Sequence, residues 1–377
     1  MKRDMCPSRR NWADRCTDMG LTFHTRAATS THPAAPYWAE GVFYTVTEEE
    51  ASVLADAAAA VHLLTLDTTD RVLASPTVLA RFLAAEGVPA LAATAVTTGA
   101  FGREPVFLKS RFAWNPHGTA APALLSVTTD QPYGIVEQAA QQTWMEDLHP
   151  DEAQFAALDD ALIDEFTRRT SGIPRLHVAY PAQDLSGETV TNTARLTDRA
   201  ADAGIDIVPT VQEALRYDPD THTWHDHQDE PCAAIYTPQR TADLLRGPDG
   251  DVLLDASRSR TRWLPGLREI VTSSRYLLPA LWAAAPEHPN LLPTYAGSPR
   301  DLAAYVAFPA RAGAGQDTSR FIYQQRANYA TFGQQREAIP EFTIWTVGGE
   351  PVALGIHEYY TDTSGMTVRF VPHLISG

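Results

Sequence analysis

EFTIWTVGGEPVALGIHE, residues 341–358, sets two runs of alternating apolar and polar residues on either side of Gly348, Gly349 and Glu350. Alternation with a period of two puts every second side chain on one face of a strand, and a glycine pair between two such runs is a hairpin signal. The texture extends outward. AAYVAFPA at 303–310 and RFIYQQ at 320–325 lie upstream, and MTVRFVP at 366–372 lies downstream, so the chain is strand-rich from about residue 303 onward. Farther upstream, two β-prone runs at 105–114 and 122–128 flank the turn residues Asn115, Pro116, His117 and Gly118, a second predicted hairpin.

Helices are expected between these strands. Thr47 precedes EEEASVLADAAAAVHLL with Glu50 three residues on, a capping box. Further helical patterns fall near 76–86 and 134–147, at 151–169, and at 272–292, where a proline pair ends an apolar run. RLHVAY at 175–180 and GIDIVPT at 204–210 are short strands on either side of a helix at 191–203. The expected fold class is α/β (α+β): mixed sheets flanked by helices, with a smaller strand-bearing lobe.

Composition bounds the function. The chain has 377 residues, 44% of them hydrophobic and 20% charged, enough for a large core and too apolar for disorder. The net charge of −16 repels a phosphate backbone, so no nucleic acid is expected as partner. No apolar run approaches the roughly 18–20 residues of a membrane span, and MKRDMCPSRRNW lacks the apolar stretch of a secretory signal. Cys6, Cys16 and Cys232 make neither a metal quartet nor a disulfide framework. A cytoplasmic protein is expected. Lys2 and Lys109 are the only lysines among 30 basic residues, which a general preference for Arg and Ala accounts for.

Several blocks occur in one order along the chain. They are RRNW, GLTFHT and PYWAEGVFYTVTEEE, then SRF, DQPYGIVEQ and QQTWME, then RLHVAY, SSRYLLPALW, EHPNLLPTY and YVAFP, and last FIYQQ, the 341–358 hairpin and VRFVPHLI. The set resembles the glutathionylspermidine synthase family over residues 10–375. The resemblance implies an ATP-grasp fold with a preceding pre-ATP-grasp domain. It implies a pre-ATP-grasp and core portion over roughly 10–150, a lid-like portion over 151–260 and a further core portion over 261–377. It also implies the chemistry of a carboxylate–amine, amide-forming ligase: ATP phosphorylates a carboxylate and an amine displaces the phosphate. ATP and Mg²⁺ are expected by that resemblance alone, with a small carboxylate and an amine as substrates. The amidase half of bifunctional family members has no counterpart in these residues, so no hydrolysis of glutathionylspermidine is expected.

Joining two anions in this way needs divalent cations held by charged oxygens, and cationic donors on the transferring phosphoryl. The family's Arg-Phe-Asp metal block reads Arg111, Phe112, Ala113 here. Its Leu-Leu-Glu-Tyr-Asn-Ala-Asp-Thr-Pro block reads Leu124 to Pro132, with Ser126 for glutamate, Thr128 for asparagine and Asp130 kept. No metal ligand stands at the expected positions, and Asp130 is the carboxylate left to substitute. Arg275 replaces one nucleotide lysine and keeps a charge, while Phe308 replaces a second and does not. Gly313 and Gly315 survive from the phosphate-covering loop, beside Arg311, and His357 stands for the arginine before Glu358. By resemblance, Arg111 is the catalytic candidate, and Arg275, Gly313, Gly315 and Glu358 are candidates for cofactor binding.

Other groupings read as structure. His222, His225 and His227 with Asp226 and Asp229 match no zinc spacing, and an exposed loop is expected there. Lys109 and Arg111 share a strand face and are expected to look into the cleft. His24 and Cys16 lack a third orienting group, and the aromatics Tyr37, Trp38, Phe43 and Tyr44 belong to a core. Two readings stay open: a diverged ligase, or a catalytically inactive pseudoligase that binds or regulates.

Overall fold

The computed structural model describes residues 1–27, 34–90, 92–98, 105–169, 173–180, 182, 187–247, 250, 259–311, 320–333, 338–362 and 365–377. Its largest sheet is five-stranded, in the spatial order Gly365–Val371, Glu350–Asp362, Ala338–Val347, Leu108–Ala113 and Ala123–Thr128. Every pairing in it is antiparallel, and both predicted hairpins are present. The glycine pair that closes the first has positive φ at both positions, 59° at Gly348 and 89° at Gly349, which side chains rarely tolerate.

Register decides which residues meet. Thr343 lies opposite both Arg111 and Gly355, and Arg111 lies opposite Ser126. One step along, Glu341 lies opposite both Ala113 and His357. Because side chains alternate across a strand, Gly355, His357 and Tyr359 share one face, while Ile356 and Glu358 share the other.

The opposite face packs on Glu48–Ala74, a helix longer than its sequence pattern suggested. Thr47 caps it, accepting from the Glu50 amide while Glu50 accepts from the Thr47 amide. By length and composition this helix could cross a membrane, but it buries Leu54, Val61, Leu66 and Val72 against the protein. Large buried side chains stabilise by roughly 1.5–3 kcal/mol each.

A second sheet is parallel and four-stranded, ordered Arg262–Leu264, Ala234–Tyr236, Arg175–Tyr180, Asp206–Val211. Helices Leu158–Arg169 and Glu188–Asp202 accompany it. Strand order reverses between Arg175–Tyr180 and Ala234–Tyr236, and the carboxyl ends beside such a reversal open a crevice. A third sheet, Thr294–Ala296, Phe321–Gln325 and Tyr305–Pro309, is antiparallel. Lys2–Met5 and His373–Ser376 flank Val42–Thr47, so both ends of the chain share one small sheet.

Three expectations are revised. The periodic pattern at 151–169 forms a helix only over Leu158–Arg169, because Ala153 and Ala156 bridge to Ile375 and Ala353. The apolar run at 272–292 helps form two short helices rather than one, Glu269–Thr272 and Leu277–Ala284, and the second ends just before Pro286, the first of the proline pair. A boundary near residue 260 cuts the parallel sheet, since Arg262–Leu264 pairs with Ala234–Tyr236.

Candidate functional site: a cationic cleft

The five-stranded sheet forms one wall of a cavity of about 520 Å³. Lys109, Arg111, Ser126, Thr128, Thr343, Gly355, His357 and Tyr359 line it from the sheet, as their alternation requires. The opposite side is built from Asp130 to Glu137, from Arg240 and from Ser273 and Arg275. Thr129 ties these segments together: its amide donates to Ser273 Oγ at 2.9 Å, and its hydroxyl lies 2.7 Å from Thr272 Oγ1.

Charge distinguishes this cavity from the rest of the protein. Arg26, Lys109, Arg111, Arg240 and Arg275 line it against Asp130, Glu137 and Glu188. In a chain carrying −16 overall, five cations thus outnumber three acids here, and a local excess of positive charge draws in anionic ligands.

Each group is tuned by its surroundings. Burial pushes the Lys109 ammonium down to about 8, while Glu137, Asp130 and Glu188 pull it upward. Its Nζ donates to the Tyr133 carbonyl at 2.7 Å and lies 5.0 Å from the Trp345 ring centroid. Burial raises Glu137 to about 7, although the Tyr37 hydroxyl donates to it at 2.7 Å. Burial lowers His357 to about 3, aided by the positive Arg111, Lys109 and Arg26, so this ring is neutral at pH 7. It therefore supplies none of the charge of the arginine it replaces.

Arg111 faces the cleft, paired with Glu341 at 3.4 Å, and its Nη1 donates to the Tyr359 hydroxyl, also at 3.4 Å. Arg275 lines the cleft and reaches the third sheet: Nη1 donates to the Pro309 carbonyl at 3.2 Å and the guanidinium lies 5.8 Å from the Phe308 ring centroid. Phe308 walls an annex of about 230 Å³ with Leu125, Leu277 and Leu278, and Arg111, Ser126 and Arg275 line both spaces.

Glu358 is not brought to the cleft. It lies on the opposite face from His357, fully buried, where Arg3 Nε donates to it at 2.6 Å, Arg369 Nε at 2.8 Å and Tyr44 Oη at 2.7 Å. Burial alone would raise its pKa, but the Arg3 hydrogen bond and the Arg369 charge hold it below the usual carboxylate range. It is a structural anion that joins the N-terminal strand to the main sheet. Gly313 and Gly315 lie outside the described residues.

A magnesium ion does not fit the residues present. At the positions where the resemblance places metal ligands, Ala113, Ser126 and Thr128 offer a methyl group and two neutral hydroxyls, with no charged oxygen among them. Asp130 is buried, and burial raises its pKa against the pull of Arg240 and the Ser273 hydroxyl. Among the described residues, no group of three or more His, Cys, Asp or Glu side chains could hold a metal. The exposed loop expected at His222, His225 and His227 is instead a small hairpin of Arg216–Asp218 and Thr223–His225, where only His227 of the three is exposed and Asp226 is buried.

Sequence reasoning had flagged Lys109, Arg111 and Arg275 and missed Arg26, Arg240, Glu188 and Glu341. Arg240 follows the carboxyl end of a parallel strand beside the reversal of strand order, a position that could have drawn attention once the sheet order was known. Glu341 shares the alternation of Thr343 and Trp345, but only the register shows that Ala113 is its neighbour.

Comparison with known proteins agrees with the geometry. The family model described as glutathionylspermidine synthase pre-ATP-grasp matches residues 3–376. A Haemophilus influenzae protein named as an acid–amine ligase is 24% identical over 402 aligned residues, covering 97% of each chain. Among solved structures, a glutathione synthetase-like effector from Globodera pallida in its apo form aligns with a TM-score of 0.58 at 9% identity, over 98% of each chain. At that identity the likeness is one of fold, a mixed α/β architecture of the ATP-grasp type.

Proposed function

The chain belongs to the glutathionylspermidine synthase pre-ATP-grasp family, and from that premise we propose that it is a carboxylate–amine ligase-type protein that keeps the substrate cleft and has lost magnesium-dependent activation. It is a pseudoligase that binds a small carboxylate-bearing molecule. The observation that carries this reading is the cleft itself: five cations line a 520 Å³ cavity, while the positions for metal ligands hold Ala113, Ser126 and Thr128.

Arg111 and Lys109 receive the ligand's carboxylate, the first as a planar fork and the second as a point charge. Glu137 and Tyr37, which line the same cavity, accept hydrogen bonds from an amine. The groups bind and orient; none of them activates the carboxylate. The related Haemophilus influenzae protein's name, acid–amine ligase, supports carboxylate and amine as the ligand classes.

A second reading, a working ligase, is favoured by one observation. Arg111 and Arg275 both reach the cleft and its annex, where a phosphoryl group in transfer would need cations. One experiment separates the two: calorimetric titration with small carboxylates and amines, beside an assay of ADP release from ATP and Mg²⁺. Carboxylate binding without ADP release supports the pseudoligase. ADP release abolished by Arg111→Ala overturns it in favour of the ligase.

A further inference from the structure

Arg111, Arg240 and Arg275 line one cavity with Ser126 and Ser273, and each guanidinium is anchored from behind. Arg111 donates through Nη1 to the Tyr359 hydroxyl at 3.4 Å. Arg240 donates through Nη2 to Glu86 at 3.3 Å and to the Ser273 carbonyl at 3.4 Å. Arg275 donates to the Pro309 carbonyl at 3.2 Å. Guanidiniums fixed in this way lose little freedom when they bind, and their forks match phosphate oxygens.

We propose that Arg111, Arg240 and Arg275, with the hydroxyls of Ser126 and Ser273, bind the phosphate chain of a polyphosphate anion without a metal ion. The inference rests on the reading that the cleft is a ligand site and goes beyond it by naming a second ligand chemistry and its metal independence. The misfit with magnesium is then resolved by charge. Three arginines supply the positive charge that metal ions would bring, and the missing carboxylates would only have repelled the phosphates.

The like charges also cost energy in the empty cleft. Burial depresses the Arg275 pKa, and the positive Arg240 and Arg111 depress it further, against the pull of Glu86. A bound anion relieves that repulsion. Asp130 offsets Arg240 in part but is itself buried and drawn toward its neutral form. The annex beside Phe308 opens on the same two arginines, Arg111 and Arg275, and offers room for a group attached to the phosphates.

The test titrates the full chain with tripolyphosphate and with ATP in EDTA, then repeats both with excess Mg²⁺. Both anions are expected to bind in EDTA, and Mg²⁺ should weaken binding several-fold, because it neutralises the ligand's charge. Arg240→Ala and Arg275→Ala should each weaken tripolyphosphate roughly tenfold, the loss of one charged hydrogen bond. Ser126→Glu keeps all three arginines, puts a carboxylate opposite Arg111, and should weaken binding as well. Thermal melting of each variant shows that it is folded. Binding that requires Mg²⁺, or that is unchanged in all three variants, overturns the proposal. Carboxylate binding without binding of either phosphate ligand also overturns it and leaves the proposed function in place.

Discussion

Glu341 places its Oε2 atom 3.4 Å from Nη1 of Arg111. The same glutamate stands directly across the strand pair from Ala113, the position at which the resemblance implies a metal aspartate. A carboxylate is therefore present beside that position, delivered by the neighbouring strand, and it is spent on the arginine. Burial raises the Glu341 pKa, while the Arg111 charge and the Tyr329 hydroxyl, which donates at 3.3 Å, pull it down. One carboxylate already paired to a cation cannot hold a hard divalent ion.

Arg111 should bind external anions better when Glu341 no longer competes. Glu341→Gln keeps the shape and removes the charge. Small-carboxylate affinity is expected to rise about three- to tenfold, on the order of 1 kcal/mol for a charged competitor at a half-exposed guanidinium. Arg111→Ala should lower it by at least as much. Calorimetry on both variants checks the opposite signs; equal weakening in both would mean that Glu341 positions Arg111 rather than competing for it.

Anion binding should fall in two steps as pH rises from 6 to 9. Glu137 titrates near about 7 and Lys109 near about 8. The first step adds a negative charge to the cleft and the second removes a positive one. His357, near about 3, contributes nothing in this range. Glu137→Gln should flatten the first step and Lys109→Met the second, measured as Kd against pH. A profile unchanged in both variants would count against these two groups as the titrating pair.

Stability has its own pH dependence through Glu269. Burial raises its pKa from 4.5 to about 8, so between those values the folded chain holds a proton that the unfolded chain has lost. Stability is then greatest at the acidic end of this window and declines as pH rises through it. At roughly 1.4 kcal/mol per pKa unit, that shift corresponds to a decline of about 5 kcal/mol across the whole window. Glu269→Gln should remove the slope in urea unfolding followed from pH 5 to pH 8.5.

Glu358 separates a structural role from a ligand role. It is fully buried between Arg3, Arg369 and Tyr44. Glu358→Gln should destabilise the fold by about 3 kcal/mol, because breaking a buried pair strands its partners. Ligand affinity in the folded fraction should be unchanged. A loss of affinity at unchanged stability would return Glu358 to the site.

The fold was largely legible because its signals are local. The 341–358 hairpin announces itself by alternation around two glycines, and the Thr47 cap by its spacing to Glu50. The candidate site was legible only where one strand carries it, as with Lys109 and Arg111. Arg26 and Arg240 reach the cleft from two other segments and Glu341 pairs with Arg111 from a third, and no spacing within the chain encodes that meeting. Glu358 misled for a related reason. Adjacent residues on a strand face opposite ways, so the block containing His357 and Glu358 sends one to the cleft and the other into the core.

If the three substitutions at Ala113, Ser126 and Thr128 are what removed the metal, restoring the family's residues should restore it. Ala113→Asp with Ser126→Glu and Thr128→Asn adds two carboxylates and an amide to the cleft wall. Ser126 already faces Arg111 across the hairpin, and Glu341 stands opposite Ala113 as a further oxygen donor. The new carboxylates repel one another and Glu341, since like charges directly across strands destabilise, so the triple variant should be less stable in EDTA and recover stability with Mg²⁺ or Mn²⁺. The effect of Mg²⁺ on tripolyphosphate binding should also change sign, from weakening in the parent chain to strengthening in the variant. Melting curves with and without metal, beside paired titrations, read both effects. A folded triple variant that gains nothing from either metal would show that the metal site was lost through the backbone or through other residues, not through these three side chains.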